Sequence, residues 1–454
     1  MTRSSVFIPP APMVHPKDLP IGSLLWNAIR SSLAIWPDYA FDILTARNKV
    51  FGLETVLVND PEAIRYVLIS QAQNYQRPVS VRRIARVLGN EGLFVAEGGE
   101  WRRQRRLLAP TFSPSSINLL LPHFQEAGLH LLRTVSTRSS VNLSRAFHDT
   151  ALEAVLRALF SMPENQAREK LSDIVRNYIE GPGRPNLFDI FAKADDDFAF
   201  ATRGRKRLRN AWFLEIDKII ADRQAMFKTS DERDVLDLLL GIRDADTGET
   251  LSDSEIRDQC GTMFFAGSET TARAMFWAAY LLTQDMKEQG RIRAEVMAFP
   301  VERVSNIDDL QNWPHLRNVL LETLRLYPPL PHIVRQAIRP DEVAGEKVAP
   351  GTQVWFSPWV LHRHRKFWDQ PTAFIPSRFA GTAAPWMQIP AYIPFGAGPR
   401  ICIGLSFALT EAQIVLATLL ARYQVSLPVG KPVLPVGRVT IEPSYEPLFQ
   451  LERS

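Results

Sequence analysis

Phe395-Gly396-Ala397-Gly398-Pro399-Arg400-Ile401-Cys402-Ile403-Gly404 is the decapeptide on which the reading of this chain turns. Three glycines and a proline make a tight loop. Its cysteine sits at the exit into an apolar, proline-free stretch that the spacing predicts to be a helix to about Arg422. Free N–H groups at a helix start favour thiolate over thiol, and Arg400, two residues earlier, adds positive charge. Such a thiolate can serve as a nucleophile, a redox thiol or a metal ligand. Zinc needs about four N/S ligands, and no second cysteine lies nearby. A nucleophile wants a paired histidine, and none is close in sequence. A lone thiolate serves well as the single axial ligand of a haem iron. The competing reading is a small buried hydrophobe at a helix start. That reading is adopted for the other cysteine, Cys260.

Working outward, three clusters carry further chemistry. Glu322-Thr323-Leu324-Arg325 puts a carboxylate and a guanidinium three residues apart on one helix face. Taken alone, it reads as an ordinary solvated pair. Trp101-Arg102-Arg103-Gln104-Arg105 stacks an indole and a guanidinium at i and i+4. The alternative is a basic solvated face, a reading kept for Arg102 and Arg106. Ala266-Gly267-Ser268-Glu269-Thr270-Thr271 lies midway along the longest helical stretch. Glycine inside a helix costs ~0.5–1 kcal/mol relative to alanine, and a small pair that lets a flat group approach the backbone gives it a reason. Thr270 shares a face with Ala266. An acid beside an alcohol in an apolar helix reads as a proton relay, or as a local kink with the threonine bonded back to a carbonyl.

The decapeptide resembles the haem-binding loop of the cytochrome P-450 superfamily, the haem-thiolate monooxygenases. The other clusters fall in that family's order and spacing. Glu322 to Arg325 is similar to its E-x-x-R, Phe374-Ile375-Pro376-Ser377-Arg378-Phe379 to its P-x-R-F, and Trp101 to Arg105 to its W-x-x-x-R. The resemblance runs from about Phe51 to Leu451. It implies Cys402 as iron ligand of haem b (iron protoporphyrin IX), with Phe395 and Gly404 of the loop in the cofactor site. Trp101, Arg105, Arg400 and Arg335 (in His332-Ile333-Val334-Arg335) would neutralise the two propionates, a task that suits arginine's planar fork. Glu322, Arg325 and Arg378 would form a buried structural triad, and Glu269 and Thr270 would deliver protons. The implied reaction is reductive activation of dioxygen, with one oxygen atom inserted into an apolar small molecule. No dinucleotide fingerprint or cysteine cluster appears, so electrons are expected from a ferredoxin and its NAD(P)H-dependent reductase. Arg102, Arg103, Arg106 and Arg400 flank the loop and suit docking of an acidic ferredoxin. Two rivals are a peroxide-driven haem-thiolate enzyme, whose kind typically loses the acid–alcohol pair, and a haem gas sensor, which needs no relay.

Composition narrows the class. The 454 residues are 46% hydrophobic and 22% charged, which excludes disorder, collagen and coiled coil. A net charge of +4 is too mild to argue for nucleic acid. Two distant cysteines exclude a disulfide framework and favour a reducing compartment. The most apolar early stretch, Ile21 to Ala46, is broken by Asn27, Arg30, Asp38 and Asp42, well short of a membrane span. Pro9, Pro10, Pro12 and Pro16 replace the apolar core of a signal peptide. A cytoplasmic monomer is the expectation.

The remaining pattern is helix-heavy. Thr55 to Val58 reads as a strand. Asp60 caps a helix with Pro61 at its first position, running to about Ser70. Helices follow near 115–135, 147–160 and 206–227, and Ser252-Asp253-Ser254-Glu255 has the spacing of a capping box opening a helix to about Gln284. Beyond residue 326 prolines are dense, with short β runs such as Gln353 to Phe356, an irregular passage over 366–394, and a tail from Arg438 to Leu451 that reads as a hairpin. The expected fold is mainly α with a small β subdomain (about 51–60, 332–357 and 423–451), the family's triangular helical prism as a single domain over 1–454. By resemblance, substrate contacts come from about 76–98, 180–202, 260–271, 330–336 and 443–447. Phe94, Phe188, Phe191, Met263, Phe264, Leu330 and Ile333 are apolar there, while Arg82 and Arg83 could meet a carboxylate. The basic run Arg203 to Arg209 reads as a solvated, partly self-paired face, and His362-Arg363-His364 is assigned no metal.

Overall fold

The computed structural model describes the chain except residues 1–5, 51, 87–88, 137–139, 163–169, 172, 175–176, 178–180, 182–202, 227–233, 245, 382–385 and 454. Helices dominate it: α1 (Ile21–Arg30), α2 (Pro61–Arg65), α3 (Val79–Ala85), α4 (Gly98–Leu108), α5 (Pro114–Val135), α6 (Leu143–Phe160), α7 (Arg203–Met226), α8 (Val235–Gly241), α9 (Asp253–Leu282), α10 (Met286–Ala298), α11 (Pro314–Leu326), α12 (Pro358–Leu361) and α13 (Leu405–Arg422). Their starts follow local chemistry. Asp60 accepts from the Glu62 amide, Ser113 from Ser116 and Asn142 from Arg145, and Pro114 sits at the first position of α5. The capping box at Ser252 is formed in both directions. The helix expected to Ser70 does continue past α2, but its last turn widens to a π-turn over Tyr66–Ser70.

The long helix α9 is the hub. It packs against α6, α7, α11 and α13, which leaves most of its thirty residues buried. Its contact with the strand region is anchored by Trp277, whose ring nitrogen donates to the Ile441 carbonyl at 2.9 Å while its ring stacks on Tyr327 at 4.1 Å. Helix α13 is also long and apolar enough to cross a membrane, with mean hydropathy 1.3. It lies against α5, α9 and α10, with 61% of it buried inside the fold.

Both ends of the chain build the sheets. Strands β1 (Thr45–Val50), β2 (Leu53–Val58), β3 (Tyr75–Gln76), β5 (Ile333–Ala337) and β8 (Gln353–Phe356) form one sheet in the order β1-β2-β8-β5-β3, with β2 and β8 parallel. Strands β6 (Asp341–Val343) and β7 (Glu346–Val348) form a small hairpin. Strand β1 lies outside the expected β segments, because Thr45-Ala46-Arg47-Asn48-Lys49-Val50 shows no apolar alternation.

The tail is not a hairpin. Strand β11 (Ile441–Pro443) turns back on β10 (Pro435–Gly437), whereas β12 (Leu448–Arg453) joins β9 (Tyr423–Ser426) and β4 (Ser140–Asn142). Pro443 lacks an amide donor and ends its strand. Phe449 and Leu451 then alternate into the core, which fixes the partner of β12 by burial. The basic run also departs from expectation in part. Arg203, Lys206 and Arg207 are exposed, but Arg205 is 1% exposed and Arg209 donates to Asn90.

Candidate functional site

Backbone geometry fixes the thiol loop first. Gly396 and Gly398 have φ of 76° and 71°, a region that side chains rarely adopt. A Cβ on Gly398 would lie 2.1 Å from the Leu68 carbonyl oxygen, so the loop sits directly on the π-turn after α2. The Cys402 amide donates to the Phe395 carbonyl at 2.9 Å, and the Ile401 amide to Gly398 at 3.0 Å, which closes the loop on itself. The Cys402 side chain is accessible, yet enough protein surrounds it to disfavour its charged form. Enclosure raises the thiol pKa; the Gly404 amide and the Arg105 guanidinium work against that rise. The guanidinium whose charge acts on the thiol is therefore that of Arg105. Arg400, expected to act there, instead spans the loop to Glu97 and covers the Trp101 ring at 4.3 Å.

Arg400 belongs to a basic cluster. Arg77, Arg335 and Arg400 influence one another, and the carboxylate among them is Glu97, paired with Arg400 and with Arg77 at 3.3 Å. Burial and mutual repulsion push Arg77 down to about 9 and Arg335 down to about 10. Arg400 Nη1 is buried with no hydrogen-bond acceptor. Three guanidinium groups around one carboxylate leave an excess of positive charge that an anionic ligand would balance.

The scaffold beneath the loop is a buried ion network. Arg325 and Glu322 are both 0% exposed and make a bidentate pair at 2.7 and 2.8 Å. The remaining Arg325 donors reach the carbonyls of His362, Pro371 and Ala373, which satisfies all five N–H groups. Arg378 adds a 3.3 Å contact to Glu322, whose Oε1 also accepts the Ile375 amide at 2.9 Å. His362 ties this network to the loop: its Nδ1 faces the Arg325 carbonyl at 3.2 Å, and its Nε2 accepts the Ile393 amide at 2.9 Å. Burial drives its pKa down to about 3, so the ring is neutral. His364 turns to the Ile43 carbonyl instead. Among the described residues, no group of three or more His, Cys, Asp or Glu is placed to hold a metal ion.

On α9, Met263, Ala266, Gly267 and Thr270 form an accessible stripe along an otherwise buried helix. Thr270 Oγ1 donates to the Ala266 carbonyl at 2.7 Å, the back-bonded geometry of a threonine within a helix. Glu269 points elsewhere. Its Oε1 accepts from Arg273 at 2.8 Å and from Thr440 at 3.1 Å. The expected acid–alcohol pair is thus adjacent in sequence but divided between two helix faces.

The family model for cytochrome P450 matches residues 46–447. This chain belongs to the cytochrome P450 family. It is 30% identical over 382 residues to cyclooctatin synthase of Streptomyces melanosporofaciens, covering 84% of this chain and 83% of that one. It is 28% identical to cyclooctat-9-en-7-ol 5-monooxygenase of the same organism, with coverage of 88% and 86%. The crystal structure of the cytochrome P450DA heme domain superposes with a TM-score of 0.79 at 22% identity, covering 99% of this chain and 98% of that one. The protein is a P450 monooxygenase, an oxidoreductase with a haem-thiolate cofactor.

The residues present fit that cofactor. This P450 offers an accessible thiol, a basic cluster short of carboxylates, an orphaned Arg400 donor and the small Ala266 on the accessible face of α9. Gly267, expected to let a flat group approach, instead makes room for α6, where a Cβ would meet Val155 at 3.0 Å. Phe395 lines the start of the loop beside Trp386, with ring centroids 5.8 Å apart, and a Cβ on Gly404 would approach Phe112 at 3.9 Å. Of the expected substrate contacts, Phe94, Met263, Leu330 and Ile333 are accessible, whereas Phe264 is fully buried against Trp212. Phe188, Phe191 and almost all of 180–202 lie outside the described residues. Arg83 is 3% exposed. Sequence reasoning missed Arg77 and Glu97. Neither sits in a motif, and only folding brings residues 77, 97, 335 and 400 together.

Proposed function

We propose that this P450 binds haem b through Cys402 and hydroxylates or epoxidises an apolar small molecule. Its electrons come from a ferredoxin reduced by an NAD(P)H-dependent reductase, and the chain works as a single-domain cytoplasmic monomer. The observation that carries this reading is the accessible α9 stripe, where the Thr270 hydroxyl is presented beside Ala266 with an acid next to it in sequence. An enzyme driven by peroxide has no need of a proton-handling alcohol there.

Bound haem supplies the dioxygen chemistry. The protein's own residues do the rest. Arg77, Arg335 and Arg400 bind the cofactor's anionic edge, and Arg105 stabilises charge on the Cys402 sulfur. Thr270 Oγ1 spends its proton on the Ala266 carbonyl, so its lone pairs remain to hold a water or a proton donor. Accessible Met263, Leu330 and Ile333 favour an apolar substrate. A relative whose name specifies oxidation of a cyclooctatenol supports the same choice.

The test compares two electron sources. Purified enzyme is given NAD(P)H with a ferredoxin and its reductase, or hydrogen peroxide alone, with substrates chosen by shifts of the haem Soret band. Oxygenated product from the first mixture supports the proposal. Product from peroxide alone, with none from the first mixture, overturns it.

A further inference from the structure

We propose that His148 is the port through which this P450 takes protons from solvent, passing them to Glu269 from the side of α9 away from Thr270. The inference rests on the monooxygenase reading above and assigns a residue that no motif contains. It starts from an anomaly. Glu269 is 8% exposed, and although its Oε1 accepts two hydrogen bonds, its Oε2 is buried with none. A buried carboxylate oxygen without a donor is costly. His148 Nε2, on α6, lies 3.5 Å from Oε2, within a small side-chain adjustment of a hydrogen bond.

The imidazole reaches both ways. On its other side, Nδ1 lies 3.9 Å from Asp149, whose side chain is 35% exposed. The ring therefore bridges a buried carboxylate and a solvent-facing one. The charged and titratable groups around it are few. From α6 come Asp149 and Arg145, 3.9 Å apart. From α9 come Glu269 and Arg273, the latter also bonded to Ser144 at 3.1 Å. From the turn between β10 and β11 comes the uncharged Thr440 hydroxyl, with Arg438 nearby paired to Glu442. Histidine is the side chain whose ordinary titration spans neutral pH, so it can exchange protons with solvent where a lysine or arginine cannot.

The step balances. An imidazolium at His148 gives its Nε2 proton to Glu269 Oε2, leaving a neutral ring and a neutral carboxylic acid. Nδ1 keeps its proton, a solvent water reprotonates Nε2 and restores the cation, and Glu269 returns to a carboxylate when it releases its proton toward the Thr270 side of α9. A neutral Glu269 no longer forms a charged pair with Arg273, which keeps its bond to Ser144. Release of that pair leaves Thr440 as the remaining bond to Oε1, so the acid can turn toward the accessible face where Thr270 lies next in sequence.

The experiment uses the haem-loaded enzyme with its electron donors. His148→Gln keeps a side chain of similar size, so the carbon monoxide spectrum and the substrate-induced Soret shift should match wild type. Turnover should fall several-fold, hydrogen peroxide should take a larger share of the NAD(P)H consumed, and the solvent deuterium isotope effect should rise. Because the imidazolium is the donor, wild-type turnover should fall as pH rises, and His148→Gln should lose that dependence. A static pair that only docks α6 on α9 would leave the isotope effect and the pH profile unchanged. A second reading needs no variant at this site: in ring-labelled histidine NMR of the ferrous carbonyl enzyme, the His148 ring signals should respond to pH. Its titration should move to lower pH in Glu269→Gln. A ring silent to pH, or wild-type turnover and isotope effect in His148→Gln, overturns the port. If Thr270→Ala is still uncoupled in the same assay, the monooxygenase reading survives that failure; if it stays fully coupled, the relay itself is wrong.

Discussion

Single atoms decide the chemistry of the site. The loop sequence singles out Cys402 because a glycine-rich turn presents one thiol just before a helix start, and the fold leaves that side chain accessible. Which cation acts on it is not readable from that loop, since the fold turns Arg400 toward Glu97 and leaves Arg105 as the charge that counters the rise of the thiol pKa. Cys402→His should abolish the strongly red-shifted Soret band that reduced, thiolate-ligated haem shows under carbon monoxide; persistence of that band would exclude Cys402 as ligand. Thr270→Ala removes one hydroxyl from the accessible face of α9 and leaves thiol, basic cluster and scaffold in place. Carbon monoxide binding and substrate shifts should be nearly unchanged. NAD(P)H use should persist while product falls and hydrogen peroxide rises. Acid–base assistance is typically worth ~10²–10⁴ in rate, of which a replacement water can restore much. An unchanged product yield per NAD(P)H would leave only the local bond to Ala266 as the role of this threonine.

At the scale of elements, the sequence spoke most clearly where the signal was local. The Ser252 capping box, the Asp60–Pro61 start and the Glu322–Arg325 spacing all depend on residues within four positions of each other, and all formed. Arg378 joins Glu322 from fifty-six residues away, a contact the spacing could not contain. The same holds for His362, which links Arg325 to the segment entering the thiol loop. Glu322→Ala would leave the Arg325 charge buried with carbonyls alone. Loss of a partner from a buried pair typically costs about 3–5 kcal/mol. Urea unfolding should show a loss of that order together with reduced haem content, although Glu322 is fully buried. A loss within about 1 kcal/mol would mean that the carbonyl ligands of Arg325 suffice without the carboxylate.

For the molecule as a whole, charge and topology set what can dock and where. Arg102 is exposed beside the loop, but Arg103 meets Glu100 and Glu255, Arg106 meets Asp244, and Arg400 meets Glu97. Three of the four cations expected to steer an acidic ferredoxin are thus already paired. Reduction by a ferredoxin should therefore slow only a few-fold between low and physiological ionic strength. Rates independent of salt would place the electron donor on another face, and a collapse of several hundred-fold would mean that docking breaks these internal pairs. The sequence by itself determined the family, the thiol loop, the helical class and the helix starts, because these are written in runs of neighbouring residues whose spacing maps directly onto a turn or a helix face. Tertiary structure alone decided that the tail strands part company, that Glu269 is held by Arg273 and Thr440 while Thr270 lies on the accessible face, that Arg77 and Glu97 belong to the site, and that His148 meets a buried carboxylate. Each of those facts depends on which distant surfaces bury one another. Burial is settled by the packing of α6, α9 and the sheets together, and no local spacing encodes it.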